Sequence, residues 1–244
     1  MNYYFITGTS KGIGKAIAEE LLQDENNFVI GVCRNSTIQH KNYRHQPLDF
    51  SDIPAVEHNL HKVFVPYRDA QKLVLINNAG VLGDIGYVGE GMPNERFEFV
   101  FDINVIVPAM LMNSFLYVYR PLQVPKVIVN VSSGAGRYPI DGWASYCASK
   151  AAIDMLSQTI QQEQNVRASG VRVFSLSPGV VDTAMQEHIR ESDAQKFSNV
   201  QRFIDYKEQG ELASPEEVGR KIVWFLDNTD DFDDVLVSVR DMEV

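Results

Sequence analysis

Tyr146 and Lys150 stand four residues apart, and Ser133 precedes the tyrosine by thirteen. On a helix, positions i and i+4 share one face. A free phenol titrates near about 10, too high for proton transfer near neutrality. A neighbouring ammonium favours the phenolate and is expected to lower that value, which is the tuning general acid–base catalysis needs. A serine hydroxyl beside them can hydrogen-bond a carbonyl oxygen and the alkoxide that develops from it. A Tyr-x-x-x-Lys pair alone occurs by chance on many helix surfaces. Its weight here comes from the motifs that accompany it.

A second constellation is Thr7-Gly8-Thr9-Ser10-Lys11-Gly12-Ile13-Gly14. Its spacing is G-x-x-x-G-x-G rather than the G-x-G-x-x-G of the usual dinucleotide fingerprint. The physics carries over. Gly8 permits a tight turn, Gly12 lets a pyrophosphate approach the backbone, and Gly14 lets a helix pack closely on a sheet. The helix N-terminus then faces the phosphates. In NAD-binding chains an acid about 20 residues further on takes the ribose 2′-hydroxyl. Here that place holds Cys33-Arg34-Asn35, with no carboxylate. Arg34 and Lys11 can instead bracket a 2′-phosphate, for which guanidinium geometry is suited. NADP(H) is the expected cofactor; the plain alternative is two solvated cations. Asp49 and Phe50 are placed to touch an adenine, although Asp49 also fits a helix-start acid.

These residues need elements to hold them. Short apolar runs at 3–7, 28–33, 73–76, 127–131, 171–176 and 235–239 read as strands, with a weaker one at 43–48. Helical spacing covers 13–23, 53–65, 97–119, 144–167 and 215–226, the last capped by Ser214 with Pro215 at its first position. Strand and helix alternate throughout, which predicts an α/β chain: a doubly wound parallel sheet with helices on both faces. Ligands of such sheets bind beyond the carboxyl ends of the strands, and every motif above falls just after a predicted strand. No linker or repeat divides residues 1–244, so one domain is expected. The longest irregular stretch, 182–213, is expected to be a lid or binding loop. Pro108 lies inside the long helix and has no N–H to give the carbonyl of Asn104. A kink is expected there, freeing that carbonyl for a water that links Lys150 to solvent.

The formal net charge of −10 argues against a nucleic-acid or anionic-membrane surface. No stretch of about 18 apolar residues is evident, so no membrane-crossing helix is expected. The start of the chain runs straight into a strand and a glycine loop, so no leader is expected. Two cysteines, Cys33 and Cys147, lack metal-ligand spacing and are too few for a disulfide framework. A reduced, cytoplasmic protein without a metal is expected. The five histidines form no motif and read as surface residues, and the acids of 227–234 read as a solvated turn.

The chain resembles the short-chain dehydrogenase/reductase family. The resemblance rests on Thr-Gly-x-x-x-Gly-x-Gly at 7–14, Asn-Asn-Ala-Gly at 77–80, Val-Ser-Ser at 131–133, Tyr-Cys-Ala-Ser-Lys at 146–150 and Pro178-Gly179, in the family's order along nearly the whole chain. It implies a Rossmann-like fold and hydride transfer between a nicotinamide and a carbonyl or alcohol. It further implies Ser133, Tyr146 and Lys150 as catalytic residues with Asn104 as the fourth. Lys150 would also bond the nicotinamide ribose, and Tyr146 would lie against it. Asn78, Ala79 and Gly80 would line the adenine ribose side, and Val181 and Thr183 would meet the carboxamide and phosphate. A homodimer packed through the long helices is also implied.

A narrower resemblance, at 142–150 and 177–186, is to sepiapterin reductases and bacterial benzil reductases. Sepiapterin reductases hold the pterin with an acid in the last strand; the matching position here is Ser238, with Asp241 close by. That departure favours reduction of an aromatic α-diketone such as benzil. Trp143, Tyr138 and Met185 are candidates for the substrate pocket, with plain core packing as the alternative. A non-catalytic NADPH sensor and an NAD-linked alcohol dehydrogenase are the rival readings; the intact Ser-Tyr-Lys set speaks against the first and Arg34 against the second.

Overall fold

The structure, a computed structural model, describes residues 1–242. Seven parallel strands form one sheet: β1 (Asn2–Thr7), β2 (Asn27–Cys33), β3 (Tyr43–Pro47), β4 (Lys72–Asn77), β5 (Lys126–Val131), β6 (Val171–Ser177) and β7 (Leu236–Ser238), in the spatial order β3-β2-β1-β4-β5-β6-β7. The order reverses between β1 and β4, which opens a crevice at their carboxyl ends. Inner strands are apolar on both faces because both faces are covered. In β1, Tyr4 and Ile6 face one core while Tyr3 and Phe5 face the other.

Helices α1 (Gly12–Leu21) and α8 (Pro215–Asp227) cover the first face. They cross so closely that a Cβ on Gly219 would lie 3.0 Å from Ala16. The second face is covered by α2 (Ile53–Val63), by α4 (Val107–Tyr119) and by Ile153 of α5 (Ala144–Val166). Ser214 caps α8, its Oγ accepting from Glu217 N at 3.1 Å, as its sequence predicts.

Several expectations need correction. Residues 182–213 are not one irregular loop: they contain α6 (Ala184–Arg190) and α7 (Val200–Glu208), short helices whose apolar residues fold onto the catalytic end of α5. The break at Pro108 is not a simple kink. Between α3 (Glu95–Phe101) and α4 the chain makes π-helical turns at Asp102–Ile106, with Val107 N donating to Asp102 O. A wider turn absorbs the donor that proline lacks. Within the continuous helical span Glu95–Tyr119 an 18-residue window has a mean hydropathy of 1.7, enough by length and composition alone to cross a membrane, a run the sequence reading does not pick out. Its apolar residues Val107, Leu111, Met112 and Phe115 instead pack into the core beneath the sheet. His45 is half-buried rather than a surface residue, its Nε2 lying 2.8 Å from Cys33 O. The acids of 227–234 are exposed, as a solvated turn requires, with Asp227 paired to Lys72 and Asp230 to Arg172 at the surface.

Candidate active site

Ser133 lies two residues past the end of β5 in extended conformation, and its Oγ accepts from Ala135 N at 3.2 Å, which turns the chain into the Gly134–Gly136 helical turn. Tyr146 and Lys150 occupy the first turns of α5 on one face. The Lys150 Nζ lies 5.6 Å from the centre of the Tyr146 ring. Lys150 Nζ donates to the carbonyl of Val131, at the end of β5, at 2.8 Å. Both side chains are buried. Burial pushes the Tyr146 phenol up to about 12, with the Ser133 hydroxyl pulling it back. Burial likewise lowers Lys150 to about 8, with Asp154 raising it in part. This corrects the expected downward tuning of the phenol by the ammonium. Loss of water around each group sets the direction of both shifts, and the ammonium gives one hydrogen bond to a backbone carbonyl. The phenol is therefore protonated at neutral pH, the state a proton donor requires.

The π-turn brings Asn104 to the same place. Its Oδ1 accepts from Val81 N at 2.9 Å, and its Nδ2 donates to Val81 O at 2.8 Å and to Ser149 Oγ at 3.0 Å. The amide thus clamps the segment after β4 onto α5. Gly80 fits between: a Cβ there would lie 3.3 Å from Asn104 Oδ1 and 3.5 Å from Lys150 Nζ.

An open cleft of about 1670 Å³ runs from the glycine loop, past Tyr146, to α6 and α7. That exceeds the usual range of about 300–1,000 Å³ for small-molecule sites. Gly8, Ser10, Lys11, Gly12, Ile13, Arg34, Asp49, Phe50, Asn78, Ala79, Gly80, Val181 and Thr183 all line it. Gly8 and Gly12 have φ of +76° and +59°, which only glycine adopts freely. Hydrogen bonds from Ser51 hold the Asp49 carboxyl below its usual range, with Arg34 helping. Arg34 is thus close enough to act on Asp49, at the end of the cleft away from Tyr146.

Three expected site residues sit outside the lining. Gly14 is at the helix–sheet contact: a Cβ would come within 2.5 Å of Gly8 O, which fits its packing role. Asn104 acts from behind Gly80. Thr9 is a correction. It is fully buried, its Oγ1 facing Cys33 Sγ at 3.2 Å and Tyr43 OH at 2.9 Å, because the tight turn at Gly8 swings its side chain under the loop.

On the substrate side, Trp143 stands edge-on to Tyr146 at 5.8 Å and stacks on Phe197 at 5.2 Å, with Phe203 tilted at 5.4 Å. Met185 and Ile189 of α6 join this apolar cluster, and the exposed Tyr138 lies at the rim. Sequence gives no signal for Phe197 and Phe203, which lie in a stretch without clear periodicity. Arg240 also lines the cleft, its Nε 3.0 Å from a Cβ placed on Gly179. Ser238 lines it too, whereas Asp241 does not. A single carboxylate gathers hydrogen bonds behind this end of the cleft. The Asp141 carboxylate accepts from Tyr87 OH (3.1 Å), Ser198 N (2.8 Å), Ser198 Oγ (3.1 Å) and Asn199 Nδ2 (2.7 Å).

The family profile described as short chain dehydrogenase matches residues 2–194. The chain belongs to that family. As a short chain dehydrogenase it is an oxidoreductase that acts on carbonyl or CH–OH groups with a nicotinamide cofactor. It is 35% identical over 232 residues to the benzil reductase ((S)-benzoin forming) of Bacillus cereus, covering 91% of this chain and 92% of that protein. It is 32% identical to the sepiapterin reductase of Meriones unguiculatus, covering 85% and 84% of the two chains. A solved short chain dehydrogenase/reductase of Saccharomyces cerevisiae superposes with a TM-score of 0.83 over 99% of this chain and 97% of that one; at 24% identity the likeness shows the shared fold.

Proposed function

We propose that this short chain dehydrogenase is an NADPH-dependent ketone reductase whose substrates are aromatic α-diketones such as benzil. The observation that carries the reading is a buried Tyr146 phenol flanked by Ser133 and Lys150 at the wall of a cleft whose far end carries Arg34 and Lys11. The residues fit the cofactor: positive-φ glycines leave room for a close approach, Arg34 stands where an NAD site has an acid, and Lys11 lines the same cleft from the glycine loop. Bound NADPH supplies the hydride.

The protein residues do the rest. Ser133 hydrogen-bonds the ketone oxygen and steadies its growing charge. Tyr146 gives that oxygen its proton. Lys150, cationic below about pH 8, favours the phenolate left behind and would hold the nicotinamide ribose when the cofactor is bound. Asn104 fixes the segment beside Lys150 and so keeps the route for reprotonation open.

The diketone reading is supported by the Trp143, Phe197 and Phe203 cluster beside Tyr146, which suits flat aryl groups. It is supported too by Arg240 and Ser238 at the place where a pterin would need an acid. Reduction of a pterin side-chain ketone is the second reading, favoured by the likeness to sepiapterin reductases. A homodimer is proposed from the exposed Ile106 and Tyr117 on one long helix and Met155 and Val166 on the other. A reducing, cytoplasmic setting suits the two free cysteines.

The deciding experiment measures NADPH and NADH oxidation with benzil, sepiapterin and a panel of simple ketones. Consumption of NADPH with benzil, at a higher kcat/KM than for NADH, is expected. No consumption of either cofactor across the panel sinks the enzymatic reading, and a preference for NADH sinks the cofactor assignment.

A further inference from the structure

Beneath the adenosine end of the cleft lies a chain of hydroxyls that the reaction does not use. Tyr43, on β3, points its phenol under the glycine loop. Its OH lies 2.9 Å from Thr9 Oγ1 and 2.8 Å from Ser36 Oγ. Thr9 Oγ1 also meets Cys33 Sγ at 3.2 Å, and that thiol donates to the carbonyl of Asn35 at 3.1 Å. Ser36 Oγ accepts from Ile38 N at 3.2 Å, so it shapes the turn after β2. Arg34 and Asn35 line the cleft from within that turn, and Lys11 lines it from the glycine loop. The turn is therefore held on one side through Asn35 and on the other through Ser36, with Thr9 touching both ties.

β2 is hollowed to admit this arrangement. A Cβ on Gly31 would sit 2.1 Å from Tyr43 OH and 2.5 Å from Thr9 Oγ1. No side chain but hydrogen fits there, although the Gly31 backbone is ordinary strand. Glycine weakens a strand interior, so its presence marks a place where another group must come close. Each hydroxyl of the chain has one proton to give, and linked donors of this kind reinforce one another.

We propose that Tyr43, acting through Thr9 and Ser36, is a positioning residue that sets the distance between Lys11 and Arg34 and thereby gives the site its selectivity for the 2′-phosphate. This deepens, and rests on, the NADPH reading above. Two cations can clamp one phosphate only at a fixed spacing. They are carried by separate segments, and the Tyr43 phenol ties those segments together from below. The tie reaches the cleft only at the glycine loop and the turn after β2, the two segments that carry Lys11 and Arg34, and not at the Tyr146 end.

The test compares wild type with Tyr43→Phe, which keeps the ring in its hollow and removes only the hydroxyl. Affinities for NADPH, NADH and 2′-AMP are measured by fluorescence titration and competition, and KM and kcat for both cofactors are measured alongside. The expected result is a roughly five- to tenfold loss of affinity for NADPH and for 2′-AMP, on the order of one lost charge-supporting hydrogen bond. NADH affinity should change less than about twofold, and kcat at saturating NADPH should hold. Thr9→Val should reproduce the loss, and Thr9→Ser, which keeps the hydroxyl, should restore it. If Tyr43→Phe weakens NADPH and NADH equally, the residue is merely structural and the proposal is overturned. A variant that binds 2′-AMP as wild type does overturns it as well. A wild-type protein that does not prefer NADPH overturns the cofactor reading itself, a result distinguishable because it is seen before any substitution is made.

Discussion

At the scale of single residues, desolvation sets the chemistry. Tyr146 and Lys150 are both pushed toward their neutral forms by burial. In the reducing direction the phenol must hold its proton and the ammonium must hold its charge. The phenol keeps its proton far above neutrality, so the ammonium is the group that fails first. Reductive turnover should therefore fall as pH rises past about 8, the value to which Lys150 is lowered. A pH profile of kcat that stays flat well into the alkaline range would show that the charge of Lys150 is irrelevant. Removing the donor is a harsher change. Tyr146→Phe should lower kcat by about 10²–10⁴-fold, the usual range for one general acid, while NADPH still binds in a fluorescence titration. Full activity in that variant would remove Tyr146 from the mechanism.

At the scale of elements, the π-turn at Asp102–Ile106 is the feature that places Asn104. One extra residue in a helix rotates the preceding turns by about 100° relative to the later ones. Pro108→Ala restores the missing donor and lets the helix rewind. Asn104 should then turn away from Val81, and kcat should fall about tenfold, a loss of roughly 1.4 kcal/mol in transition-state stabilisation, with thermal stability unchanged or higher. Wild-type kcat with wild-type contacts would show that the break serves packing alone. The sequence exposes this site because Pro108 four residues after an asparagine is visible in one dimension; that the ring is accommodated by a wider turn rather than a bend is decided by packing on the sheet. The strand and helix order is legible for the same reason, since β-branched runs such as Val127–Val131 and turn residues such as Gly8 act locally. Helices α6 and α7 are not legible. They are short, and α7 is half polar, and their folding depends on contact with Trp143 and Tyr146 rather than on any propensity of their own. Thr9 is misplaced by spacing alone, because spacing reports which segment holds a residue, and only the turn at Gly8 reports which way it points.

At the scale of the whole molecule, one sheet serves two unlike tasks at its carboxyl edge. The β2 side carries the cations, and the β5 to β7 side carries the proton chemistry and the aromatic wall. The cavity joins them in a continuous trough. The proposed dimer predicts a sedimentation mass near twice that of the 27.5 kDa chain, and charged substitutions at Tyr117 and Met155 should shift it toward monomer. A wild-type protein that sediments as a monomer at micromolar concentration removes the dimer. The Asp141 carboxylate has a larger consequence than its size suggests. It is the common acceptor for the strip around Tyr87 and for the approach to α7 at Ser198 and Asn199, while it sits in the chain just ahead of Trp143. Three stretches remote in sequence are thereby knotted at two oxygens, like cords drawn through one ring. Cutting that knot with Asp141→Ala should let amide protons across 193–208 and around Tyr87 exchange with heavy water faster and in step, while those of β1 and β4 keep their wild-type pace.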